Sequence, residues 1–203
     1  DLVGVAHDAG CMLQLVAPIG EFVPAGAPLF RVHGQPTELD EDAVLAGVAL
    51  GLERTLDQDV AYGLRMLVDI AERSLADSPF LDPTTAVQAV DRLHDCLRQL
   101  ACRVFPDGLH RDDAGELRLV VPSMDWDAYV HLAFDEIRLA GAGSPQVSRR
   151  LQAALEDLLT VVPPDRRAAL EHQIDLLSSS TTASMKDPRD AKMALNGDRQ
   201  GLG

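Results

Sequence analysis

Apolar residues recur at three- and four-residue steps through two long stretches of this chain. Between 57 and 75 they are Val60, Leu64, Leu67, Val68, Ala71 and Leu75; between 82 and 104 they are Val87, Val90, Leu93, Leu97, Leu100 and Ala101. Each set falls on one face of an α-helix, so the spacing predicts helices over 57–75 and 82–104. Asp82 is placed to cap the second, and Pro83 suits its first turn. A helix over 40–52 follows Glu38 and opens with Asp40, Glu41 and Asp42, acids that suit the positive end of a helix dipole. Three more are expected over 126–139, 144–160 and 163–177, with Ser144 and Asp165 as caps.

Residues 1–34 alternate instead. Val3-Gly4-Val5, Met12 to Val16 and Leu29 to Val32 read as short strands separated by Gly and Pro. A Gly/Asp-rich turn at 106–116 precedes a further strand over 117–121. The expected fold is α+β and mainly α: a small N-terminal β-sandwich or hairpin unit (1–36) packed on a bundle of about five to six helices (37–179). Residues 180–203 turn Ser/Thr-rich and then polar, without an apolar face, and read as a flexible tail.

Composition narrows the function classes. At 203 residues with 46% apolar content the chain can bury a real core. Its net charge of −14 argues against general nucleic-acid binding, which needs clustered Lys and Arg. Only Lys186 and Lys192 are lysines; the remaining basic residues are arginines, as a GC-rich genome would supply. No run approaches the roughly 18 apolar residues of a membrane span, and no signal peptide is visible. With its start at Asp1, in what reads as strand, the chain looks like a piece of a longer protein.

Candidate chemistry is sparse. Cys11, Cys96 and Cys102 are scattered, with no Cys-x-x-Cys, so neither a zinc site nor a redox dithiol is signalled. Free thiols suit a reducing compartment. The six histidines stand singly, outside any metalloprotease or nucleophile pattern; His131 and Asp135, one turn apart, form a helix-surface pair more readily than a general-base site. Trp126 reads as an interhelical anchor. No catalytic residue, metal site or cofactor is assigned.

One polar cluster stands out. Arg54, Thr55, Gln58 and Asp59 lead into the 57–75 helix, Asp69 and Arg73 lie on it, and Asp82, Thr85 and Asp91 open the next. Asp69 can pair with either Arg65 or Arg73, for roughly 0.3–0.5 kcal/mol if exposed. Arg54, Gln58 and Asp59 are expected to meet the start of the following helix in a ligand-binding or structural polar pocket. There Arg54 would contact a carboxylate, either Asp82 or a ligand's. The segment Pro18 to Leu29 resembles half of a biotinyl/lipoyl-type barrel, with its Gly-acid-x-Val turn, but residues 1–34 hold no lysine to carry a cofactor.

Taken in order and spacing, Arg54-Thr55-x-x-Gln58-Asp59, Leu67-Val68-Asp69-Ile70-Ala71-x-Arg73-x-Leu75 and Asp82-Pro83-x-Thr85-Ala86-x-x-x-x-Asp91-Arg92-Leu93 resemble the signature of the domain of unknown function 2254 family. The family pattern has Asn-Asp-Pro before the third helix where Leu81-Asp82-Pro83 stands here, so any role of that Asn side chain is missing. The resemblance implies a bacterial multi-pass membrane protein whose transmembrane segments precede this region. It further implies a regulatory, ligand-sensing or assembly module anchored to the cell membrane, with a homo-oligomer and an unidentified small-molecule or ion ligand as expected partners. An oligomerisation scaffold for a channel- or transporter-like protein is the alternative, and a carboxylate-based enzyme ranks last. The free cysteines favour the cytoplasmic side.

Overall fold

The computed structural model describes residues 1–57 and 59–200. The chain divides into two compact units, Asp1–Asp59 with Phe105–Met124, and Val60–Val104 with Asp125–Gly203. Among the described residues there are eight α-helices and one four-stranded sheet, a mainly helical α+β fold.

The first unit begins with a helix, α1 (Leu2–Asp8), followed by strands β1 (Met12–Leu15) and β2 (Phe30–His33) and a short helix α2 (Glu41–Ala46). The strand expected at Val3 to Val5 is therefore corrected. Leu2, Val5, Ala6 and Ala9 have helical spacing, and the Asp1 carboxylate caps the turn by accepting from the Val3 N–H at 3.0 Å. The helix expected over 40–52 is real at its capped start but ends at Gly47. A Cβ on Gly47 would meet the Leu2 side chain at 2.6 Å, so this glycine lets α1 and α2 approach.

Strands β3 (Leu109–Arg111) and β4 (Leu117–Val120) complete the sheet in the order β2-β1-β4-β3. Strands β1 and β2 are antiparallel with Leu13 opposite Val32, whereas β1 runs parallel to β4 with Leu13 beside Leu119. Strand β3 was hidden in the expected turn because its three residues are all exposed and carry no alternation. Ala6, Ala9, Cys11, Leu13, Val44 and Leu119 form the core of this unit, so the only buried cysteine is a packing residue.

The second unit contains α3 (Val60–Leu75), α4 (Pro83–Leu100), α5 (Trp126–Gly141), α6 (Pro145–Leu159), α7 (Arg167–Ser184, after a 3-10 turn at Pro164–Arg166) and α8 (Pro188–Ala194). Its core includes the expected stripes, with Leu64 and Val68 on α3 and Leu93 and Leu97 on α4, joined by Phe134 on α5 and Leu155 on α6, all 2% exposed or less. Burying each such side chain stabilises by about 1.5–3 kcal/mol. Trp126 is the anchor its position suggested. Its indole N–H donates to the Arg166 carbonyl at 3.0 Å, and the Arg166 guanidinium lies 5.8 Å from the ring centroid.

The flexible tail expected from residue 180 is corrected. Helix α7 continues to Ser184 and α8 follows, burying Thr181, Ala191 and Ala194. The Ser/Thr run stays helical because its hydroxyls find partners: Ser179 and Ser180 donate to the carbonyls of Asp175 and Leu176, and Thr181 pairs with buried Ser148 at 3.2 Å.

Candidate functional site

In the first unit, Arg54 reaches Asp59. Its Nε and Nη2 donate to Asp59 Oδ2 at 2.9 and 2.6 Å, and the carboxylate is almost fully buried at 8% exposure while the arginine keeps 38%. The loop between β1 and β2 is laid directly on this pair. Gly20 sits at φ +85°, and a Cβ there would collide with Asp59 Oδ2 and with the Arg54 guanidinium. Turns from the Pro18 carbonyl to the Glu21 N–H and from Pro24 to Ala27 shape the loop around it. The Gly-acid-x-Val turn and the Arg54–Asp59 step, read separately in the sequence, are thus one structural feature. The carboxylate that Arg54 contacts is Asp59. Thr55 is exposed, and Gln58 lies outside the described residues.

A second polar group in this unit escaped the sequence reading. Asp112 accepts from Arg118 Nε at 2.7 Å and pairs with His7 Nδ1 at 2.9 Å, and it also receives the N–H groups of Ala114 and Glu116. The Arg118 and His7 bonds hold its carboxyl well below the usual carboxylate range. This cluster fastens the turn between β3 and β4.

The remaining candidates lie in the second unit. Asp69 takes Arg65 as its partner, at 2.7 Å; Arg73 instead donates to the Asp69 backbone carbonyl at 3.0 Å. Arg65 also pairs with Glu72 and with Glu136 on α5. Asp82 is a helix cap: hydrogen bonds from Thr85 hold its carboxyl below the ordinary value. Thr85 and Asp91 line a shallow groove of about 290 Å³ between α3 and α4, with Leu67, Ile70, Gln88 and Arg92.

Asp91 leads to side chains that sequence reasoning passed over. It accepts from Arg150 Nε at 2.6 Å, although Arg150 belongs to α6 and is 5% exposed. Arg150 Nη2 lies 2.9 Å from His94 Nδ1, and His94 Nε2 lies 2.8 Å from Asp157, which also accepts from Arg98. The available signal was the spacing Asp91, His94, Arg98 along one helix and Arg150, Asp157 along another. His131 does pair with Asp135, at 3.0 Å, and Gln173 donates to the same carboxylate at 2.7 Å.

Among the described residues no three His, Cys, Asp or Glu side chains are grouped to hold a metal ion, and no helix is long and apolar enough to cross a membrane. The polar clusters as built can clamp loops and helices and can present charge at the α3–α4 groove.

No solved structure matches the chain. An uncharacterized protein of Mycobacterium bovis is 38% identical over 206 residues, covering 96% of this chain and 39% of its own length. Uncharacterized proteins of two Mycobacterium tuberculosis strains, H37Rv and CDC 1551 / Oshkosh, are also 38% identical, over 96% and 89% of this chain and 39% and 36% of their own lengths. The chain therefore spans about 39% of the length of the curated relatives it matches. Residues 1–157 match the family described as "Predicted membrane protein (DUF2254)", and the chain belongs to that family.

Proposed function

We propose that this chain is the C-terminal, extramembrane part of a multi-pass bacterial membrane protein and works there as a regulatory module, sensing a ligand or setting assembly. The family match carries the reading: residues 1–157 belong to predicted membrane proteins, while no described helix of this region is fit to cross a bilayer. Relatives more than twice as long have room for spans elsewhere. Within this reading the Arg54–Asp59 pair and the α3–α4 groove with Thr85 and Asp91 are the places where a small molecule or ion would act. There Arg54, 38% exposed beside the Asp59 carboxylate, and Asp91 would meet the ligand.

Fractionation of the full-length protein with high-salt and carbonate washes, followed by its native mass in detergent, tests this. Retention in the membrane is the expected result, and release by either wash would sink the proposal.

A second reading, an oligomerisation scaffold, is favoured by the apolar side chains that crowd the segment around Arg54. Leu50, Leu52 and Leu56, close together in sequence, are 69%, 106% and 59% exposed, and a group of exposed apolar side chains is what an interface between copies would use. A defined homo-oligomer in detergent that dissociates when Leu52 and Leu56 become serine would support the scaffold. A monomer at all concentrations would favour sensing.

A further inference from the structure

The chain of contacts between α4 and α6 fixes the state of a histidine. A guanidinium can only donate, so the 2.9 Å approach of Arg150 Nη2 makes His94 Nδ1 an acceptor. The ring proton must then sit on Nε2, where it is donated to Asp157 at 2.8 Å. The row reads Asp91 carboxylate, Arg150 guanidinium, neutral imidazole, Asp157 carboxylate, Arg98 guanidinium. We infer that Asp91, Arg150, His94, Asp157 and Arg98 form a proton-operated latch between α4 and α6, closed while the His94 ring is neutral and released when it takes up a proton.

The second proton has one place to go. It would occupy Nδ1 and point at the Arg150 guanidinium, replacing a hydrogen bond with a repulsion between like charges. Asp157 pulls the other way, since a carboxylate favours the charged ring. Burial outweighs it: desolvation first, with the charges of Arg150 and Arg98 added, holds His94 below the ordinary histidine value. From α6 the ring faces Arg150 and Asp157, and along α4 its charged neighbours are Asp91 and Arg98. Helices α3 and α5 also pack on α4, but neither brings a charged side chain into bonding contact with the ring.

A histidine with a depressed folded-state pKa binds fewer protons folded than unfolded. Stability therefore begins to fall as pH drops below the unfolded value of about 6.5, and the loss is complete once pH passes the folded value. Asp157 does not share this window. Burial pushes it up, but the His94 bond and the charges of His94 and Arg98 hold it below the ordinary carboxylate value, so it titrates only in stronger acid.

The test follows the His94 ring nitrogens by NMR in the 203-residue chain from about pH 7.5 to pH 5, with hydrogen exchange read in parallel. The expected result is an Nε2–H tautomer at the upper end. As the ring titrates, α6 amides from Arg150 to Asp157 should exchange faster than their intrinsic pH dependence allows, by about tenfold per pKa unit of depression. His94→Gln is the control, because an amide can accept from Arg150 and donate to Asp157 without ever charging; it should keep α6 protected across the range. Constant protection through the His94 titration, an Nδ1–H tautomer, or equal acceleration in His94→Gln would overturn the latch. The wild-type arm decides alone if the variant does not fold.

Discussion

Gly20 and Asp59 approach so closely that any side chain on the glycine would have to displace the carboxylate, and with it the guanidinium of Arg54. This contact fastens the β1–β2 loop to the segment that carries Arg54 and Asp59. Gly20 is needed twice, for its φ of +85° and for its missing Cβ.

Gly20→Ala should therefore destabilise the first unit by about 1–3 kcal/mol, the range for a non-glycine residue held at a strained backbone position. Urea unfolding monitored by circular dichroism would read it as a lower midpoint. Gly4→Ala is the matched control, since a Cβ there meets nothing within 4 Å and the residue lies in α1. Equal midpoints for the two variants would mean that the loop does not rest on the ion pair as described.

Removing either partner of the pair should cost less than a buried salt bridge does. Arg54 remains 38% exposed, so solvent relieves part of the loss. Asp59→Ala and Arg54→Ala should each lose about 1.5–3 kcal/mol, as for hydrogen bonds to charged groups, and the double variant should lose less than their sum. The same variants are expected to change native mass or ligand response more than stability. A loss above about 3 kcal/mol in chemical denaturation, the range for breaking a buried pair, would make the pair a structural strut instead.

Asp112 gives a pH prediction of the same sign as His94, in a more acid window. Its folded-state pKa is held down by Arg118 and His7, so it contributes stability above its unfolded value near 3.8, and that contribution fades as pH falls towards the folded value. Asp112→Asn should lower the urea midpoint at neutral pH and flatten the acid limb below about pH 4 relative to the wild type. Parallel acid limbs for the two proteins would show that Asp112 carries no stabilising charge in the fold.

The helices were legible where apolar residues kept a 3.6-residue period over about three turns, as Leu64 to Leu75 and Val87 to Leu97 do. They were less so where one rule masked another. Val3-Gly4-Val5 has the alternation of a strand, yet the longer set Leu2, Val5, Ala6 and Ala9 decides for helix once it packs around Leu13. Residues 178–184 lack an apolar stripe because hydroxyl pairs replace it, and Thr181 is buried against Ser148 through a hydrogen bond that no hydropathy pattern encodes. The candidate site divides the same way. Asp82 was found as a cap because capping is local in sequence. Arg150 and His94 were not, because their meeting depends on how α4 and α6 pack, and the approach of Gly20 to Asp59 depends on the β1–β2 loop folding back on a segment far along the chain.

The side of the membrane on which this region lies can be read through Cys102. It is the exposed cysteine; Cys11 is buried in the sheet core, and the Cys96 thiol is pushed up, first by burial and then by the Asp95 charge, which lowers its thiolate fraction at neutral pH. A membrane-impermeant maleimide should therefore modify Cys102 ahead of the other two. In intact cells the cytoplasmic side, expected from the free cysteines in the sequence, predicts no labelling at Cys102, with full labelling after lysis, and Cys102→Ser should abolish the difference. Labelling of Cys102 in intact cells would put this region on the outer side.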